Sequence, residues 1–136
     1  MRNNKLFIPL KHKSLNVYQA VREITTEIYK ITLLLPAEER FNIIQQIRRA
    51  TLSVIPNLAK GCSRRSLTER KRYYEVSRGS IVEIDAILET AVDMQYLKED
   101  GKKIGDLLNK CFAMLSNMRP WENRCSMIKA TRMKKS

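Results

Sequence analysis

The sequence predicts an all-α protein, an antiparallel up-down-up-down four-helix bundle. Four segments repeat their apolar residues at the three- and four-residue spacing of a helix, and short connections join them. No segment alternates with the two-residue period of a strand. The 136 residues suffice for one core only. We therefore expect a basic N-terminal arm at 1–13, a four-helix bundle at 14–119 and a basic C-terminal tail at 120–136.

The first helix is expected over 14–35. Ser14 is its expected N-cap, and the helix is expected to end at residue 35 because Pro36 follows. The second helix is expected to begin at Pro36 or Ala37, since proline is favoured in the first turn, and to end at Gly61. Its apolar stripe consists of Phe41, Ile44, Ile47, Thr51, Val54, Ile55 and Leu58.

Pro56 lies inside the second helix, and we expect a kink there that leaves the carbonyl of Leu52 without its amide partner. Asn57 follows the proline and can donate to the freed carbonyl of that turn or to a neighbouring helix. A ligand contact is the alternative, and we favour the structural role.

The third helix is expected over 66–95, where Ser66 and Glu69 have the spacing of a capping box. Its core stripe includes Tyr73 and leaves Tyr74 outside. The remaining members of that stripe are Ser77, Ser80, Ile84, Ile87, Ala91 and Met94, flanked by Ile81 and Leu88.

The fourth helix is expected to begin at Asp100 or Gly101, and Pro120 bars its extension. Its stripe consists of Ile104, Leu107, Leu108, Cys111, Leu115 and Met118.

The composition excludes several classes of protein. His12 is the single histidine, so a metal site built on imidazoles is excluded. Cys62, Cys111 and Cys125 are widely spaced without a C-x-x-C pair, which predicts reduced thiols rather than a disulfide framework. No Gly-rich phosphate loop is present, and residues 79–80 lack the frame of a nucleophile elbow. We therefore predict no metal, no cofactor and no enzymatic activity.

The chain also lacks the signals of a membrane or secreted protein. Its longest apolar runs reach four or five residues, far below the roughly 20 that span a bilayer. No apolar stretch of a secretory signal follows the basic N-terminus. We expect a cytoplasmic protein.

The charge points to a polyanionic partner. The chain carries 26 Lys and Arg against 14 Asp and Glu, a net charge of +12. The densest basic run is 64–72, with five cations in nine residues. We predict a nucleic-acid-binding surface made of Arg49, Lys60, Arg64, Arg65, Arg70, Lys71, Arg72 and Tyr74. In it, the Tyr74 ring would stack a base. The alternative is a solvated helix end that keeps the protein soluble.

Arg48 falls among the apolar positions of the second helix, and Glu83 lies at the edge of the third helix's stripe. An unpaired buried charge is costly, so we predict a partly buried Arg48–Glu83 ion pair that sets the helix register. A functional role for the pair is the alternative.

Another surface is predicted to contact further copies of the chain. Tyr18, Arg22 and Tyr29 form a stripe beside the core face of the first helix, and aromatic residues and Arg are enriched at protein interfaces. Base stacking is the alternative there. Val82 and Ala86, on the otherwise acidic side of the third helix, also fit an interface. Two different patches suit a ring.

Two motifs resemble a known family. They are QIRRATLSVIPNLAKG at 46–61 and RGSIVE at 78–83, and they look like the four-helix-bundle family encoded in intervening sequences of bacterial 23S rRNA genes. That family is similar to the accessory variability determinant of diversity-generating retroelements. The resemblance covers about 12–118 and implies a homopentameric ring. For the retroelement relatives it also implies binding of nucleic acid and of a reverse transcriptase. Lys60 departs from the pattern, which commonly has Glu there, and makes this helix end more basic.

These observations favour a non-enzymatic, oligomeric scaffold that binds RNA or DNA through basic surface with little sequence preference. The scaffold would present the nucleic acid to a reverse transcriptase or another partner. The alternative is a protein-interaction adaptor that does not bind nucleic acid. We expect a homo-oligomer, and the pentamer follows from the resemblance alone.

Overall fold

The computed structural model of the protein describes residues 15–98 and 101–118. Within these ranges the chain forms no strand, and it forms four α-helices: α1 (Asn16–Thr32), α2 (Ile43–Ser63), α3 (Leu67–Asp93) and α4 (Lys102–Ser116). A 3-10 helix, Ala37–Glu39, lies between α1 and α2. The all-helical class is thus confirmed. The basic arm, Ser14 and the basic tail lie outside the described residues.

Each helix packs against two others, since α1 and α3 both contact α2 and α4. The contact between α2 and α3 is the most extensive of these. Ser77 donates a hydrogen bond to the carbonyl of Val54 at 2.9 Å, and the hydroxyls of Ser53 and Ser80 bond to each other. The two helices therefore run antiparallel where they are in contact. These bonds also satisfy polar groups at a close helix contact.

One hydrophobic core fills the space between the four helices. Its buried members include Val17, Val21, Ile24 and Ile28 of α1, Ile47, Val54 and Leu58 of α2, Ile81, Ile84 and Leu88 of α3, and Ile104, Leu108, Cys111 and Leu115 of α4. Every helix buries residues three or four apart, as the apolar spacing predicted. A smaller buried cluster of Leu35, Ile43 and Ala91 lies beside it. Burying each large aliphatic side chain contributes about 1.5–3 kcal/mol to the folding free energy.

The second helix begins at Ile43 and not at Pro36 or Ala37 as predicted. Asn42, its N-cap, has a non-helical backbone with φ −130° and ψ −101°. This break and the preceding 3-10 helix disrupt the helical phase, so the apolar spacing of α2 does not extend backwards to Phe41. The Phe41 side chain, predicted in the core, is 81% exposed.

The helix starts differ in how they are capped. Ser66 accepts a hydrogen bond from the amide of Glu69 at 3.3 Å, so it is the N-cap that its spacing predicted for α3. Leu15 stands at the N-cap of α1, in place of the predicted Ser14, and provides no side-chain acceptor. Gly101 precedes α4 as one of its two predicted starting points.

Helix α2 continues through Pro56. The side-chain amide of Asn57 donates to the carbonyl of Ser53 at 2.7 Å. Asn57 therefore bonds to the carbonyl of Ser53 and not to that of Leu52. The Leu52 carbonyl is the one that loses its helical partner, because Pro56 has no backbone N–H. The bond gives Asn57 a structural role in the turn that contains the proline.

The cysteines differ in chemical state. Cys111 is free and fully buried, and burial raises the pKa of its thiol to about 11. Cys62 is disulfide-bonded, so the expectation of a reduced thiol is wrong for it. Wide spacing without a C-x-x-C pair does not by itself exclude a disulfide bond. Cys125 lies outside the described residues.

The described ranges contain no group of three or more His, Cys, Asp or Glu side chains arranged to hold a metal ion. None of the helices in those ranges combines the length and apolar character needed to cross a membrane.

Candidate nucleic-acid interface

The connection between α2 and α3 spans only 64–66, so the end of one helix lies beside the start of the next. Five predicted phosphate-binding cations lie at this junction, in the last turn of α2, in the connection and in the first two turns of α3. We call them the basic cluster: Lys60, Arg64, Arg65, Lys71 and Arg72. Arg64 is half-buried and the other four are exposed.

Tyr73 lies at the centre of the basic cluster. The guanidinium carbons of Arg64 and Arg72 lie over its ring, 5.1 Å and 5.7 Å from the ring centroid. The Lys60 ammonium nitrogen is 6.0 Å from the same centroid. Nη2 of Arg64 also donates to the Tyr73 hydroxyl at 3.4 Å. Cation–π attraction thus gathers three positive charges around one ring. Tyr73 was not among the predicted site residues, because its position falls on the predicted core stripe of the third helix.

Tyr74, predicted to stack a base, is in the core and only 6% exposed. Its ring packs so closely on Gly61 that a Cβ there would lie 2.5 Å from Cε1 of the tyrosine. Its hydroxyl contacts the sulfur of Cys62 at 3.8 Å. Burial raises the pKa of Tyr74, and the positive charge of Arg70 partly opposes that rise. The prediction for Tyr74 is therefore corrected: neighbouring helical residues point about 100° apart, and α2 approaches on the Tyr74 side.

The basic cluster has no carboxylate partner among the described residues. The ion pairs found in those ranges both use Glu27, with Lys30 at 3.7 Å and with Lys103 at 3.3 Å. With respect to the described residues, the cluster is therefore a concentration of uncompensated positive charge that attracts anions.

Arg70 and Arg49, also predicted to bind phosphate, are placed differently. Arg70 is half-buried, and its Nε donates to the backbone carbonyl of Arg64 at 2.5 Å. This bond ties the first turn of α3 to the connection. Arg49 is exposed on α2, eleven residues before Lys60, which is about 16 Å along the helix axis. The structure does not bring Arg49 to the basic cluster.

Arg48 bonds to α1 instead of α3. Its Nε and Nη2 both donate to the hydroxyl of Thr32, at 3.0 and 2.7 Å, and its guanidinium carbon lies 4.7 Å from the Tyr29 ring centroid. Glu83 is exposed. The predicted Arg48–Glu83 pair is not formed, because Arg48 lies on the side of α2 that faces α1.

The family described as 23S rRNA-intervening sequence protein matches residues 13–117, a range that contains all four helices and the basic cluster. The chain belongs to this family. The family's description names no enzymatic activity. No curated protein matches the chain.

In this 23S rRNA-intervening sequence protein, the two patches predicted to contact other copies lie on different helices. Tyr18, Arg22 and Tyr29 are half-buried on α1, and the Arg22 guanidinium carbon lies 5.6 Å from the Tyr18 ring centroid. On α3, Val82 is 52% exposed and Ala86 is exposed. Val82 lines a groove of about 370 Å³ between α3 and α4. Contact between copies through these patches stays a prediction.

Proposed function

We propose that this protein is a non-enzymatic scaffold that binds RNA or DNA through phosphate contacts, with little sequence preference. The observation that carries the proposal is the basic cluster, whose cations lie together at one helix junction without a carboxylate partner among the described residues. Lys and Arg contacts to phosphate oxygens hold a strand without reading its sequence. Such binding releases counterions, so its affinity falls as the salt concentration rises.

We further propose an up-down-up-down bundle that assembles into a homopentamer in the cytoplasm. The antiparallel contacts between α2 and α3, the two candidate contact patches and the family resemblance support this assembly. Five copies, each with a net charge of +12, would bring five basic clusters onto one particle. Weak contacts to one strand would then combine by avidity. Such a ring would hold nucleic acid for a partner such as a reverse transcriptase, as the resemblance implies.

The test compares two triple variants that remove the same number of positive charges from exposed or half-buried positions. The cluster variant is R64Q/R65Q/R72Q, and the matched control is R40Q/K98Q/K110Q. Fluorescence anisotropy with a short single strand is recorded from about 50 to 200 mM salt, where phosphate-driven binding changes most. Circular dichroism checks that both variants are folded, and light scattering gives their oligomeric mass.

We expect the cluster variant to bind roughly tenfold or more weakly, and its salt slope to fall by about 2, since each phosphate contact to a single strand contributes about 0.7. The control variant should stay close to the wild type. Equal losses in both variants would show that net charge, and not the basic cluster, drives binding. Absence of binding by the wild type at low salt would refute the proposed function.

A protein-interaction adaptor is the second candidate, favoured by apolar side chains at the connection between α1 and α2. Leu33, Leu34 and Phe41 are 77%, 73% and 81% exposed there, and exposed apolar patches mark protein contacts. An adaptor would fail to bind nucleic acid at low salt. It would lose capture of its partner when Phe41 is replaced by Ser, and keep it in the cluster variant.

A further inference from the structure

We propose that the basic cluster recognises phosphate groups alone, so that its ligand class is any flexible chain of phosphodiesters, with or without bases. The inference rests on the proposed function and narrows it, because it assigns no part of the affinity to base stacking. Its consequence is that a strand stripped of its bases binds as tightly as an ordinary strand of the same length.

Three cationic groups surround the Tyr73 ring. The guanidinium groups of Arg64 and Arg72 and the ammonium of Lys60 all lie over this ring, within 6.0 Å of its centroid. A base stacks by covering a ring face at van der Waals contact. A base that stacked on a face of Tyr73 over which a cation lies would have to displace that cation, which the phosphates need.

The neighbouring aromatic residue, Tyr74, is buried away from the surface. The ring of Tyr74 is 6% exposed and is packed against Gly61 in the core. The start of α3 therefore offers a strand positive charge, and its one partly exposed aromatic ring, that of Tyr73, already contacts three cations. Recognition there is left to the phosphates.

Tyr73 then has a different function, as a positioning residue for the cations. Its ring attracts the cationic groups, and its hydroxyl accepts a hydrogen bond from Arg64. Arg70 also fixes the backbone of Arg64, because its Nε donates a hydrogen bond to the Arg64 carbonyl. Long cationic side chains lose conformational freedom when they bind phosphate, and an arrangement formed in advance lowers that cost.

The experiment measures wild-type binding to a 12-nucleotide DNA strand and to a strand of equal length in which every nucleoside is replaced by an abasic spacer. The two ligands carry the same number of phosphates, so their affinities at one salt concentration differ only by the contribution of the bases. We expect equal dissociation constants within about twofold. One stacked base would favour the ordinary strand by roughly fivefold or more, and that outcome would overturn the inference.

The positioning role is tested on the same two strands with Y73L and with Y73F as its matched control. Y73F keeps the ring, so we expect affinity within about twofold of the wild type, because cation–π attraction persists. Y73L should weaken binding to both strands equally, by roughly fivefold, and lower the salt slope. A loss confined to the strand that carries bases would show that Tyr73 stacks. The wild-type comparison decides the main inference even if Y73L does not fold.

The result for the inference is distinguishable from that for the proposed function. Binding to DNA without binding to the abasic strand refutes the inference alone. Failure of the wild type to bind either strand at low salt refutes both.

Discussion

Replacing Gly61 with Ala should destabilise the protein, although alanine is the better helix former. A Cβ at this position would lie 2.5 and 2.8 Å from two ring carbons of Tyr74 and 3.2 Å from the Cβ of Tyr73. The Tyr74 ring is 6% exposed and has little room to move. Overpacking of this kind costs about 1–3 kcal/mol, while the helix propensity of Ala returns about 0.5–1 kcal/mol. We expect a net loss of about 1–2 kcal/mol.

Gly79 provides the matched control for this prediction. It lies inside α3, and a Cβ there would meet no atom within 4 Å. G79A should therefore gain the propensity term alone and stabilise the protein by about 0.5–1 kcal/mol. Thermal unfolding followed by circular dichroism measures both variants. G61A should lower Tm by about 3–7 °C for a domain of this size. A Tm of G61A equal to or above that of the wild type would refute the close-packing argument.

Three further predictions concern the folded chain. Thr32→Val removes the acceptor of both Arg48 hydrogen bonds and should lower the free energy of unfolding by about 1–3 kcal/mol. Glu83→Gln should leave the urea unfolding midpoint unchanged. The opposite pattern would indicate that Arg48 pairs with Glu83 after all. Ser66→Ala should cost about 1 kcal/mol through loss of the α3 cap, and an unchanged urea midpoint would contradict that role. Because burial raises the pKa of Cys111 from 9.0 to about 11, the unfolded chain loses this proton first. The thiol's contribution to stability is complete below about pH 9 and falls as the pH approaches 11. Between about pH 9 and pH 11, the free energy of unfolding should therefore fall more steeply with pH for the wild type than for C111A. Identical slopes for the two proteins would contradict the raised pKa of Cys111.

Local spacing was sufficient to predict the helical class and most of the core. The stripe of Ile104, Leu108, Cys111 and Leu115 is buried because residues three and four apart share one face of any helix. Ser66 caps α3 because its oxygen reaches an amide only three residues away. Interactions of this range depend on the backbone geometry of one turn, and the sequence contains all of their parts.

The start of α2 was harder to predict. A proline followed by two acidic residues is a typical helix start, yet 37–39 forms a 3-10 helix and α2 begins at Ile43. The bond between the Tyr96 hydroxyl and the carboxylate of Glu39, at 3.1 Å, joins residues 57 positions apart. Contacts of this range compete with local preference and cannot be found from spacing.

The basic cluster divides along the same line. Its positive charge follows from the sequence alone, because four of its five cations lie within the nine residues 64–72. Residues that close along the chain remain near one another in space in any fold. Which tyrosine lies among those cations was settled by the approach of α2 at Gly61, which draws Tyr74 into the core and leaves Tyr73 among the cations. Likewise, the position of Arg48 among the apolar residues of α2 showed that its guanidinium needed a polar partner. That this partner is the hydroxyl of Thr32 depends on how α1 packs against α2. Periodicity determines which face of a helix is buried; the choice between adjacent side chains at the edge of that face depends on the neighbouring helix.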